Sequence, residues 1–255
     1  DLSSLLDGPI TASISALDTA GNTANGTGDS STKDTTTAAA VVALVTDSGA
    51  FNDDEITNVG TLAITGQEPG ATTSYSIDGG TTFTNSFSAV EGANSVIVRS
   101  TDVAGNTADT AFSFTLDTDA DLGDNLAVTI NDGDGFINNA EKSAVSFTVA
   151  GLDADAKATV TFTDSANTTV VVSNLDNGAM VADLSSLLDG PITASISALD
   201  TAGNTANGTG DSSTKDTTTA AAVVALVTDS GAFNDDEITN VGTLAITGQE
   251  PGATT

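Results

Sequence analysis

Residues Asp183–Thr255 repeat Asp1–Thr73 without a mismatch, at a constant offset of 182 positions. Identity over that length is the mark of a tandem duplication, and it fixes the architecture before any local reading does. The repeat unit is 182 residues, and the chain reads as a window on a longer array. Arrays of near-identical units stack their neighbours and serve mechanical or multivalent work more readily than single-site chemistry.

Within one period the apolar residues alternate in short runs. Ile10, Ala12, Ile14 and Ala16 recur every second residue, as do Phe112, Phe114 and Leu116, and Val145, Phe147 and Val149. A period of two is that of half-buried strands. Turn signals separate the runs: Asp78-Gly79-Gly80, and an Asp-x-Ala-Gly-Asn turn at Asp18, Asp102 and Asp200. No long helical period occurs. The junction-like segments at Lys33-Asp34-Thr35, Leu116-Asp117-Thr118 and Lys215-Asp216-Thr217 split the period into two related units, 35–117 and 118–216. Each reads as about seven short strands, Phe83 and Phe87 among them in the first. This predicts an all-β chain of tandem immunoglobulin-like antiparallel β-sandwiches arranged end to end. Residues 1–34 are then the trailing half of a longer-type repeat, and 217–255 the leading half of the next shorter one. Neither half can bury a core alone, so both are expected to be poorly ordered or paired with something supplied in trans. The polar stretch Thr205–Thr214 is expected to be one edge strand.

Charge narrows the function. There are 35 acidic residues against 5 basic ones, a formal charge of −30. Such a field repels nucleic acid and anionic membranes. The chain has no Cys, His or Trp, so disulfides, zinc sites and the usual general base or nucleophile partner are missing. Paired acids such as Asp53 and Asp54 suit a glycosidase only beside aromatic platforms, and aromatics are 4% of the chain. The reading is therefore non-enzymatic. The longest apolar run, Ala38–Val45, is far short of the roughly 18 residues of a membrane span.

The acids collect in three kinds of place. One is the loop after the first strand: Asp47, Asp53, Asp54 and Glu55 in one unit, Asp132, Asp134 and Glu141 in the other. Another is the penultimate turn: Asp102 with Asn106, and Asp200 with Asn204. The third is the junction: Asp34, Asp117, Asp119, Asp121 and Asp216. Stacking sandwiches end to end would bring the three together, and carboxylates in one small volume repel unless a hard cation lies among them. Six to eight oxygen ligands suit Ca²⁺. The competing reading is that Asp, Asn and Gly occupy turns for backbone reasons alone. An EF-hand ending at Glu141 is a poor fit, because its first ligand position would be Ile130.

Tyr75-Ser76-Ile77-Asp78-Gly79-Gly80, then Asp102-Val103-Ala104-Gly105-Asn106, then Leu116-Asp117-Thr118 together resemble the bacterial immunoglobulin-like repeats of giant, type I-secreted, biofilm-associated surface adhesins. The segment from Asp132-Gly133-Asp134-Gly135 to Glu141 is similar to the opening of another repeat type in those proteins. The resemblance covers essentially the whole chain. It implies an extracellular stalk at the bacterial cell surface, with Ca²⁺ at domain junctions and neighbouring repeats as partners. It places the metal-ligand role on Asp47, Asp53, Asp102, Asn106, Asp117, Asp132, Asp134, Asp200, Asn204 and Asp216. The alternative function is a binding module that itself recognises a glycan or host protein.

Overall fold

The computed structural model describes residues 1–230, 232–233, 236–250 and 252–254. The chain is all-β: its described residues form twenty-one strands and no helix. By compactness it divides into two units. The first comprises residues 1–120 with 200–205, the second 121–199 with 206–255.

The first unit opens with strands β1 (Gly8–Ala12), β2 (Ser15–Leu17), β3 (Thr23–Asn25) and β4 (Asp29–Lys33). These form two ribbons, β1 against β4 and β2 against β3, both antiparallel. The immunoglobulin-like sandwich follows with β5 (Val41–Leu44), β6 (Ile56–Thr57), β7 (Leu62–Thr65), β8 (Thr72–Ser76), β9 (Gly92–Thr101) and β10 (Thr107–Leu116). One sheet is β5–β7; the other runs β6–β10–β9–β8, with β6 parallel to β10. The alternation Val96, Val98 aims every second side chain of β9 inward, where both are buried with Ala40. Phe112, Tyr75 and Phe87 pack around them. Phe83 and Phe87 do not form strands; this stretch makes only a bridge between Tyr75 and Thr84. The Asp78 turn explains it. The Asp78 carboxylate accepts from the backbones of Thr81 and Thr82 and from the Thr82 hydroxyl, at 2.6–3.0 Å, which curls the chain where a strand would begin. Six strands result, not about seven.

The second unit contains β11 (Ala127–Ile130), β12 (Phe136–Ile137), β13 (Val145–Ala150), β14 (Lys157–Thr163), β15 (Thr169–Leu175), β16 (Gly178–Ala182), β17 (Gly190–Leu199), β18 (Thr205–Asn207) and β19 (Asp211–Lys215). One sheet is β11–β13–β16. The other runs β12–β19–β17–β14–β15, with β18 also on β17. Between them lies a continuous core centred on Phe147 and Phe162, whose rings meet edge to face at 5.3 Å. Nine strands stand in place of about seven, and the stretch Thr205–Thr214 is not one edge strand. It breaks at Gly208-Thr209-Gly210 because the backbone passes too close to its neighbours for side chains. A Cβ on Gly208 would lie 2.3 Å from the Leu126 carbonyl oxygen, and one on Gly210 would lie 2.4 Å from that of Ala194. After the break, β19 sits inside the sheet between β12 and β17, with Ser213 and Lys215 buried. Strands β20 (Val223–Leu226) and β21 (Leu244–Thr247) then form a separate antiparallel ribbon.

Candidate metal centre

The recurrent Asp-x-Ala-Gly-Asn turn folds identically at all three positions. In the copy at 102–106, the Asn106 backbone N–H and side-chain amide each donate to the Asp102 carboxylate at 2.8 Å. The Asp102 N–H donates back to the Asn106 carbonyl at 3.1 Å, and Gly105 holds φ at 95°. Asp200–Asn204 and Asp18–Asn22 repeat the pattern. So the Asp and Asn of each turn are first a structural pair. Burial pushes the Asp102 carboxyl upward, but the donors from Asn106, Gly105 and Ala104 outweigh it and hold it below the usual carboxylate range. The group is a buried carboxylate at neutral pH, with its charge steered by the turn.

The turn then reaches for the junction. Asn106 Nδ2 also donates to the Asp34 carbonyl at 3.2 Å, and Asn204 Nδ2 donates to the Asp117 carbonyl at 2.8 Å. These bonds tie the backbone at Asp34 to the 102–106 turn and the backbone at Asp117 to the 200–204 turn. At the first of them a third acid arrives. Glu68, in the Gly66-Gln67-Glu68-Pro69-Gly70 turn after β7, places a carboxylate oxygen within 4.8 Å of oxygens from Asp34 and Asp102. Among the described residues this is the one group of three acids at metal-ligand spacing. Asp34 and Glu68 are half-buried and Asp102 is buried. Three carboxylates this close, with the main-chain carbonyl of Asp34 beside them, are a donor set for a hard divalent cation.

The loop after the first strand of the short sandwich lies elsewhere. Asp47, Asp53 and Glu55 line one concavity of about 200 Å³ with Asn52 and Phe112. Asp47 Oδ2 accepts from the Glu55 N–H at 3.1 Å, while its Oδ1 is buried without a hydrogen-bond partner. A buried, unpaired carboxylate oxygen costs free energy unless something positive meets it, which fits a cation. Asp54 instead caps the backbone of Ile56 at 3.1 Å. This loop also meets the 200–204 turn, because Ser48 Oγ donates to the Ala202 carbonyl at 2.6 Å. Asp117 is tied to the same place by its N–H to Thr57 O at 2.9 Å, and its carboxylate accepts from the Asp119 N–H at 3.1 Å.

In the second unit the acids are spread out. Asp121 is buried and accepts from the backbones of Asn125 and Leu126 at 3.3 and 3.1 Å. Asp134 accepts from Phe136 N–H at 3.0 Å, Glu141 from Asn138 N–H at 3.0 Å, and Asp216 from Thr218 N–H at 3.3 Å. The Asp132 carbonyl accepts from Asp134 N–H at 2.8 Å. Each of these acids shapes its own loop. Among the described residues, no group of three acids at metal-ligand spacing includes Asp132, Asp134 or Glu141.

No protein-family model matches the chain, and no curated protein matches it. Solved structures do. One, a Ca²⁺-stabilized adhesin described as helping an Antarctic bacterium reach out and bind ice, is 30% identical over 88% of this chain and 60% of its own, with a TM-score of 0.41. A tetra-tandem repeat from the extending region of a large adhesion protein is 25% identical over 90% of this chain and 62% of its own, at 0.37. A structure of a 1.5-MDa bacterial ice-binding adhesin, concerned with its retention at the host cell surface, is 26% identical over 85% and 77%, at 0.38. The chain thus spans about 60% of the first two. All three of these structures come from adhesion proteins, the second from a repeat of an extending region.

Proposed function

We propose that the chain is a non-enzymatic extender segment of a large bacterial surface adhesin, stiffened by Ca²⁺ at the junctions between repeats and supporting adhesion and biofilm formation. Its repeats run 35–117 and 118–216. The observation that carries this reading is the convergence of Asp34, Glu68 and Asp102, joined by the Asn106 amide to the junction backbone. A junction built from like charges is loose without a cation and closed with one. Asp47, Asp53 and Glu55 supply a second candidate position, where the unpartnered Asp47 oxygen favours an ion. An exact tandem repeat suits a spacer, whose property is length. The setting that fits is extracellular, where Ca²⁺ is abundant enough for sites of about 10⁻⁴–10⁻³ M.

Small-angle scattering of the whole chain in chelator and in millimolar Ca²⁺ tests the proposal. A longer maximum dimension and a narrower distribution of shapes are expected with metal. An identical profile in both would overturn the stiffening role, and calorimetry showing no Ca²⁺ uptake would overturn the site itself.

A further inference from the structure

One arrangement recurs at the ends of three antiparallel strand pairs, β1 with β4, β9 with β10 and β17 with β19. In each, the first residue of one strand is a glycine opposite the last residue of the other: Gly8↔Lys33, Gly92↔Leu116 and Gly190↔Lys215. The residue before each glycine is an acid, namely Asp7, Glu91 or Asp189. The two residues after each strand end are Asp-Thr, at 34–35, 117–118 and 216–217. In all three places the threonine gives both of its donors to the acid. Thr35 N–H and Oγ1 donate to the Asp7 carboxylate at 3.0 and 2.8 Å. Thr118 makes the same two bonds to Glu91 at 3.2 and 2.9 Å, and Thr217 makes them to Asp189 at 3.0 and 2.9 Å.

The glycines are required by conformation and not by space. Their φ angles are 131°, 85° and 124°, and a Cβ on any of them would meet nothing within 4 Å. That positive-φ start lets the preceding acid reach past the strand end to a residue two beyond it. A lysine adds an ion pair at two of the clamps, Lys33 to Asp7 at 3.3 Å and Lys215 to Asp189 at 3.2 Å. Leu116 stands in the lysine's place at the third, so the threonine bonds are the common element. The Thr35 and Thr217 bonds hold the Asp7 and Asp189 carboxyls below the usual carboxylate range. Both therefore accept as charged groups, which makes the stronger kind of hydrogen bond. The Asp7 and Asp189 clamps are copies of one sequence, but the Glu91 clamp is built from different residues, so duplication alone does not account for the recurrence.

Each clamp brackets a junction aspartate. The residue before that aspartate ends a strand ladder, and the threonine after it is tied to the acid. The carbonyls of Asp34 and Asp117 are held as well, by the Asn106 and Asn204 amides. None of these bonds needs a metal. We propose that Asp7, Glu91 and Asp189 are positioning residues of the junctions: each clamps the threonine after a junction aspartate, so that the aspartate is held in place before any cation arrives. The clamp is metal-independent, whereas its use in presenting Asp34 to a cation rests on the metal reading given above. The freedom that a cation removes then begins beyond Thr35 and Thr118, and not at the strand ends before them.

Two measurements on the whole chain test this. The first is amide exchange in chelator. The Thr35 and Thr118 amides are expected to be protected, and Asp7→Ala and Glu91→Ala are expected to speed exchange at Thr35 and Thr118, respectively, by about 3- to 10-fold, the worth of one hydrogen bond. Exchange of both amides in the parent at the rate of an unstructured peptide would overturn the clamp. The second is calorimetric Ca²⁺ titration of Thr35→Val and Thr35→Ser, which leave every charge in place. Thr35→Val is expected to weaken uptake by about 3- to 10-fold through loss of the hydroxyl bond, and Thr35→Ser to restore it. Equal affinity of the parent and Thr35→Val would overturn the positioning of Asp34. Absence of Ca²⁺ uptake by the parent would remove the metal reading and the positioning role with it, while the clamp stands or falls on the exchange alone.

Discussion

Glu68→Gln separates the metal reading from the turn-chemistry reading. Gln keeps an oxygen to accept the Ala38 N–H, which Glu68 Oε1 binds at 2.8 Å, and removes one of the three charges gathered with Asp34 and Asp102. Without metal, the change relieves repulsion and the short sandwich gains stability. With metal, the same change removes a ligand and the sandwich loses stability. The magnitude follows from linkage. A site of about 10⁻⁴–10⁻³ M at 10 mM Ca²⁺ stabilises by RT ln(1 + [L]/Kd), or about 1.4–2.7 kcal/mol. This sandwich has few fully buried apolar residues, with Ala40, Val96 and Val98 at its centre, so that gain is a large share of its stability. For a domain of this size each kcal/mol moves Tm by roughly 4–8 °C, which gives an upward shift of about 6–20 °C for the unmodified chain. The assay is tyrosine fluorescence on heating: the chain has one Tyr, no Trp, and Tyr75 stacks on Phe87 inside this sandwich with ring centroids 6.2 Å apart. The expected result is a change of sign: Glu68→Gln melts higher than the parent in chelator and lower in Ca²⁺. Equal melting of the parent with and without Ca²⁺, or a variant shifted the same way in both, would refute the reasoning.

Acid should loosen the penultimate turn of the short sandwich. The Asp102 carboxyl is held below its ordinary range, so the stability it contributes is present above the unfolded-state pKa and is lost as pH falls through the lower folded-state value. NMR titration of the Asp102 side-chain carbon should show that depressed midpoint, and Asn106→Ala should return it toward the ordinary range; an ordinary midpoint in the parent would contradict the assignment. Phe162→Ala, fully buried against Phe147, should destabilise the second unit by about 3–5 kcal/mol in urea titration, whereas exposed Phe136→Ala should cost well under 1 kcal/mol. Gly151→Ala should also destabilise that unit, because φ is +76° and the new Cβ would lie 2.1 Å from the Asn125 carbonyl oxygen. A wild-type urea midpoint for Gly151→Ala would show that the backbone there relaxes freely.

Much of the fold is legible in residue order. Period-two runs gave the strands of β9, β10, β13 and β17 with little error, because one face of each meets a core and the other meets solvent or a neighbour. The Asp-x-Ala-Gly-Asn turn is readable too, since its hydrogen bonds close within five residues. Less legible was anything decided at a distance. Glu68 is a lone acid beside a proline, with no run or motif to single it out, and it joins the site only because its turn lies beside the 102–106 turn. Asp132, Asp134 and Glu141 look more like a metal loop in sequence; the structure adds that the Asp134 and Glu141 carboxylates accept from backbone donors of their own loop.

By itself, then, the sequence determined that this is a repetitive, acidic, all-β chain, because repetition, charge and strand period are properties of order along the chain. Tertiary structure alone decided which acids meet and which polar strand moves inside a sheet. Those outcomes depend on what packs against a residue.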